Sequence, residues 1–113
     1  MATQPEARLS KKVCEALQTN FQNCMAEKVH GDPFGRCILD IRGSIEGYAF
    51  EIEAKMPGNE PSDRQKKRIS DLEKNKVITG WFTTVQGAID IVYNGYMQKL
   101  KQEKERCQGI GSI

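Results

Sequence analysis

Three ionisable residues at alternate positions, Glu51, Glu53 and Lys55, are where the types and spacing of this chain first suggest chemistry. They sit in Phe50-Glu51-Ile52-Glu53-Ala54-Lys55, interleaved with apolar residues. Alternate side chains of a strand share a face, so the charged three point one way and the apolar three the other. A row of charges on a central strand is costly unless each member has a partner or a task. Upstream, Ile38-Leu39-Asp40-Ile41-Arg42 reads as an antiparallel neighbour that brings Asp40 alongside. Converging carboxylates make an all-oxygen donor set, which suits Mg2+ or Mn2+. A divalent ion held there lowers the pKa of a bound water and polarises a phosphoryl oxygen. Lys55 then orients the water or neutralises charge building on the phosphate. The same spacing also fits a solvated strand face, with Glu51, Glu53 and Lys55 pairing across to Arg42.

The elements that must position these residues are legible around them. Pro5 suits the first turn of a helix, where its missing N–H costs nothing. Leu9, Val13, Leu17, Phe21 and Cys24 recur at helical spacing, which predicts an amphipathic helix over about 5–26. A short strand is expected near Lys28 to His30, and Gly31, Pro33 and Gly35 mark turns. Cys37 to Gly43 and Tyr48 to Met56 read as a hairpin about a turn at Glu46-Gly47. Pro57 to Pro61 is a loop. Ser62 with Gln65 three residues on has the form of a capping box and opens a helix over 62–75. Val77 to Thr84 favours a strand. A last helix over about 85–105 carries Val85, Ala88, Ile89, Val92, Tyr96 and Leu100 on one side, with a loose start at 1–4 and a tail at 108–113. The order is α-β-β-β-α-β-α.

At 113 residues the chain suffices for one compact domain, over residues 1–113. Net charge is only +2, but Arg64, Lys66, Lys67 and Arg68 cluster, as do Lys99, Lys101, Lys104 and Arg106. A basic patch beside an acidic site is compatible with that balance. Cys14, Cys24, Cys37 and Cys107 form no C-x-x-C pair, and His30 is the sole histidine, which argues against tetrahedral zinc. Nothing reads as a signal peptide or membrane span, so the thiols are taken as reduced, in a cytoplasmic protein. Trp81, Phe82, Tyr93 and Tyr96 read as core or interface.

From about Glu6 to Val92 the chain resembles the VRR-NUC branch of the PD-(D/E)XK nuclease superfamily, in its small stand-alone form often found in phages. The likeness is carried by Lys28-Val29-His30-Gly31, by Gly35-Arg36-Cys37-Ile38-Leu39-Asp40, and by Phe50-Glu51-Ile52-Glu53-Ala54-Lys55. Pro61-Ser62-Asp63-Arg64-Gln65, and the strand ending in Thr83-Thr84 ahead of Ala88, continue it. The resemblance implies an α/β, restriction-endonuclease-like core with a mixed central sheet flanked by helices. It implies Asp40, Glu53 and the Ala54 backbone carbonyl as metal ligands, Lys55 as the catalytic lysine, and Gln65 at the edge of the catalytic site. The family usually adds an acid from the first helix. Glu6 fits best, on the face of Leu9 and Val13, while Glu15 points the other way.

The implied activity is a Mg2+- or Mn2+-dependent endonuclease that hydrolyses DNA phosphodiesters, selective for branched DNA such as four-way junctions. It implies a homodimer, with no small-molecule cofactor and no membrane partner, in a phage or bacterial intracellular setting. Lys28, His30, Arg64, Lys67 and Arg68 are the candidate contacts to nucleic acid, with a turn-backbone role for His30 and a solvated helix face for the cluster as the alternatives. The chain departs from the family pattern at Leu39, where proline is common, and at Cys37, where glycine is expected. Both changes spare the ionisable residues. The alternative function is a non-catalytic nucleic-acid-binding or interaction module on the same fold.

Overall fold

The computed structural model describes residues 5–30 and 35–111, with side chains to 107. The expected loose start at 1–4, the turn residues Gly31 and Pro33, and the last two tail positions lie outside the described residues. The elements are α1 (Pro5–Asn20), β1 (Cys24–Lys28), β2 (Ile41–Ile45), β3 (Tyr48–Ala54), α2 (Asp63–Lys74), β4 (Ile78–Phe82) and α3 (Val85–Gly111). The protein is α/β, and the element order is the one the periodicities predict.

The four strands lie in the order β1-β2-β3-β4. The first three form an antiparallel meander, and β3 pairs β4 in parallel. A parallel pair needs a crossover, which α2 supplies. The β2–β3 turn is the tightest available. Ile45 pairs with Tyr48, and Glu46 and Gly47 both have positive φ, at 49° and 85°. That is the two-residue turn whose twist matches a hairpin.

Strand alternation divides the sheet into two unlike faces. Ile41, Ile45, Phe50, Ile52, Ala54, Ile78 and Phe82 build one core with Val13 and Leu17 of α1 and Ala88 and Val92 of α3. α2 lies over the opposite face, where Glu51 and Glu53 point and where Gln65 and Arg68 reach them. β3 is therefore covered on both sides, and its last five residues are all buried.

Several element boundaries differ from the sequence reading, each for a local reason. α1 stops at Asn20 rather than 26. Asn23 takes a positive φ of 51° and turns the chain into β1. Cys24 keeps the apolar spacing of α1 but serves as the first inward residue of that strand. β1 accordingly lies at 24–28 rather than at 28–30. β2 begins at Ile41 rather than Cys37, because side chains rather than a neighbouring strand take the N–H groups of Leu39 and Asp40. β3 ends at Ala54. α3 runs on through Gly111, where a tail was expected. At about 1.5 Å per residue it is a rod some 40 Å long. No helix among the described residues is long and apolar enough to cross a membrane.

Gly43 marks the closest approach in the sheet. A Cβ built there would lie 1.9 Å from the Met25 carbonyl oxygen and 2.8 Å from the Phe50 ring. Backbone cannot yield as a flexible side chain would. Gly43→Ala should therefore destabilise the protein by about 3 kcal/mol or more, measured by urea denaturation. A loss under about 1 kcal/mol would contradict the packing described.

Candidate active site

The site forms where the β2–β3 ladder ends. Continuing the register of Ile41 with Ile52 sets Asp40 opposite Glu53. Here the backbone ladder gives way to an exchange between side chains and main chain. The Asp40 N–H donates to Glu53 Oε1 at 3.1 Å, and the Ala54 N–H donates to Asp40 Oδ2 at 3.2 Å. The Val29 N–H donates to the Asp40 carbonyl at 2.7 Å, which ties Asp40 to the end of β1 as well.

Glu53 is 2% exposed. Its second oxygen accepts from Gln65 Nε2 at 2.8 Å and lies 3.4 Å from Lys55 Nζ. Gln65 reaches it because α2 begins where it does. The Ser62 N–H donates to Gln65 Oε1 at 2.9 Å, and the Gln65 N–H donates to Ser62 Oγ at 3.2 Å. This capping box occupies the amide oxygen of Gln65, so its NH2 is the end left for Glu53.

The electrostatics record crowded negative charge. Burial, and then the neighbouring Asp40 carboxylate, push Glu53 up to about 7, against smaller lowering from the Asp40 N–H and Lys55. Burial also raises Asp40; the Ala54 N–H opposes it, and the charge of Glu6 adds to the rise. Lys55 and Lys28 pull Asp40 down only in part.

That donor set fits a hard divalent cation. A buried carboxylate, Glu53, and a half-buried one, Asp40, face each other, and both are raised in pKa. In an extended strand the N–H and C=O of one residue point to the same side. The carbonyl of Ala54 therefore opens toward Asp40, beside its own N–H, as a third oxygen. The acid expected from α1 does not complete the set. Among the described residues no three acids, histidines or cysteines gather as a metal cluster. Glu6 is near enough for Asp40 to feel its charge and is not brought to a shared ligating position.

Beside Asp40 opens a cleft of about 370 Å3, lined in part by His30, Arg36, Arg64 and Gln65. Two arginines and the sole histidine thus line a wall beside Asp40. Arg64 also donates to the Gly35 carbonyl at 2.7 Å, which fixes its place at the rim. A larger groove of about 700 Å3 runs from Met25 and Ser44 on the sheet to Arg68 and Leu72 of α2, and is lined by Glu51 but by neither Asp40 nor Glu53.

The basic cluster of α2 is divided by the fold. Arg64 lines the cleft, Lys67 pairs with Asp71 at 3.3 Å on the solvent side, and Arg68 turns inward to Glu51. Lys28 is exposed and close enough to lower Asp40. The solvated-face alternative is overturned. Glu51 is 6% exposed, and Arg42 pairs with Glu27 at 2.9 Å instead of reaching β3. Arg36, which lines the cleft, was not singled out from sequence; its place in the quoted Gly35-to-Asp40 segment was the available signal.

No protein-family model, curated protein or solved structure matches this chain. The functional reading therefore stands on the geometry and on the resemblance of its motifs.

Glu53 makes stability depend on pH in a definite direction. Its carboxyl holds a proton more tightly in the folded chain, about 7, than at the ordinary value of 4.5. The contribution is complete below the ordinary value and is lost as pH rises through about 7. The loss is at most about 3 kcal/mol. In EDTA, thermal unfolding of the wild type should fall more steeply from about pH 5 to pH 8 than that of Glu53→Gln. Parallel curves would show that Glu53 carries no such strain.

Proposed function

We propose that the protein is a divalent-metal-dependent nuclease of the PD-(D/E)XK type, most similar to the VRR-NUC branch, and that it hydrolyses DNA phosphodiesters. The observation that carries this reading is the pair Asp40 and Glu53. Glu53 is buried, Asp40 half-buried and opposed to it, and both carboxyls are raised in pKa, chiefly by burial, with Lys55 beside Glu53 and a cleft lined by His30, Arg36 and Arg64 alongside Asp40.

Asp40, Glu53 and the Ala54 carbonyl would hold Mg2+ or Mn2+. When bound, the ion would supply an acidified water and charge to offset that building on the phosphate. The rest falls to the chain. His30, Arg36 and Arg64 draw the phosphate backbone into the cleft and hold it against Asp40. Gln65 fixes the rotamer of Glu53, so that one oxygen stays on the Asp40 backbone and the other remains near Lys55. Lys55 contributes its charge where the phosphate reacts and where the attacking water must be oriented. Its ammonium has no lone pair for a metal, so its role belongs to the rate.

The experiment is cleavage of linear, flapped and four-way DNA in Mg2+ or Mn2+ against EDTA. Cutting should require the metal. Asp40→Asn and Glu53→Ala should each abolish it while the circular dichroism spectrum stays unchanged. Intact DNA in every metal, retained by the protein in a salt-dependent way, would instead mark a non-catalytic nucleic-acid-binding module.

Lys55→Ala should lower kcat by about a hundredfold or more and leave Mn2+ affinity near that of the wild type. Loss of Mn2+ binding in calorimetry would place Lys55 in the wrong role.

We further read the active species as a homodimer, since one small domain reaches one strand and two symmetric sites reach two. Trp81, Tyr93 and Met97, each more than 40% exposed, offer apolar surface for it. Light scattering at micromolar concentration should give twice the chain mass. A monomer mass with undiminished junction cleavage would remove the dimer from the account.

A further inference from the structure

Buried Glu51 and half-buried Arg68 are an ion pair that the proposed reaction does not use. Arg68 Nε and Nη2 each donate at 2.8 Å, to Glu51 Oε2 and Oε1. Such a two-pronged contact fixes the carboxylate in plane as well as in place. Glu51 Oε2 also accepts the Leu39 N–H at 2.9 Å. Leu39 is fully buried and directly precedes Asp40.

The Gln65–Glu53–Asp40 contacts have the same form one step along. Gln65 and Arg68 lie on one face of α2, three residues apart. Glu51 and Glu53 lie on one face of β3, two residues apart. Each α2 side chain holds one glutamate, and each glutamate holds one of two successive N–H groups, those of Leu39 and Asp40. Successive N–H groups of a straight strand point to opposite sides. Here both are taken up by carboxylates of β3, and the chain bends at Asp40. The bend is what returns the Asp40 carboxylate to the Ala54 N–H and sets it against Glu53.

We propose that Glu51 and Arg68 form a positioning pair: by holding the Leu39 N–H they keep the bend that places the Asp40 carboxylate for metal and phosphate. The proposal rests on the nuclease reading for its catalytic consequence, though the bend itself is a property of the chain alone. Arg68 thus acts on the reaction through α2 and β3, without touching nucleic acid. Groups that orient metal-binding side chains in this way are worth about 10–100-fold in affinity or activity.

The test uses the full chain with Arg68→Ala and Arg68→Lys. In metal-free protein, amide exchange at Leu39 and Asp40 should quicken about tenfold or more in Arg68→Ala, as expected for local opening. Exchange at Phe50 and Ile52, inside the sheet, should hold. Mn2+ affinity and kcat should both fall about 10–100-fold with KM for DNA steady, and Arg68→Lys should recover part of each. A folded Arg68→Ala with wild-type exchange at Leu39 and Asp40 overturns the proposal, as does a rise in KM alone. If Arg68→Ala does not fold, Arg68→Lys, which keeps the charge and loses the two-pronged contact, carries the same comparison. A wild type that neither binds Mn2+ nor cuts would end the nuclease reading, and the exchange at Leu39 and Asp40 would still decide the pair.

Discussion

The organisation of this protein depends on keeping two carboxylates, two residues apart, inside a sheet. An ionised carboxylate taken out of water without compensation is among the most expensive things a fold can contain. The chain meets that cost differently at its two positions. Glu51 is neutralised outright by an arginine and by a backbone donor. Glu53 has a lysine at 3.4 Å and amide donors but no two-pronged partner, and burial followed by the Asp40 carboxylate pushes it up to about 7. A paired carboxylate and one with a raised pKa thus stand on the same strand face, one held by Arg68 and the other by Gln65 of α2.

Much of this was legible in the sequence, because it rests on local periodicity. Alternation over 50–55 identified β3 and its charged face. Ser62 and Gln65 announced the start of α2, since a capping box is a code contained in four residues. Asp40 and Glu53 could be placed together by register once the Glu46-Gly47 turn was recognised. The failures were failures of range. Glu51 and Arg68 are 17 residues apart and meet only because a crossover helix returns over the sheet. No spacing rule pairs them, so the link between Arg68 and Glu51 was not legible. The extended run from Cys37 was taken for strand because it has strand composition. The N–H groups of Leu39 and Asp40 are in fact claimed by carboxylates, and composition carries no trace of that.

α1 was overextended for a related reason. Cys24 falls on the apolar stripe of the helix, yet it is the inward residue of a strand. Both roles demand the same kind of side chain. What separates them is the turn after Asn20, where the left-handed backbone of Asn23 leads the chain into β1. Apolar periodicity reports that a residue faces the core and is silent on which element carries it there.

The capping box of α2 has a consequence in time. Gln65 spends its oxygen on the helix start and its nitrogen on Glu53, so one side chain serves both. Helix ends fray far more often than sheets open. Each fraying of the first turn of α2 releases the amide and with it the grip on Glu53. The assembled constellation therefore has a lifetime, set by a helix terminus rather than by the durability of the sheet beneath it. Heating would loosen the hold of Gln65 on Glu53 before it unfolds the protein.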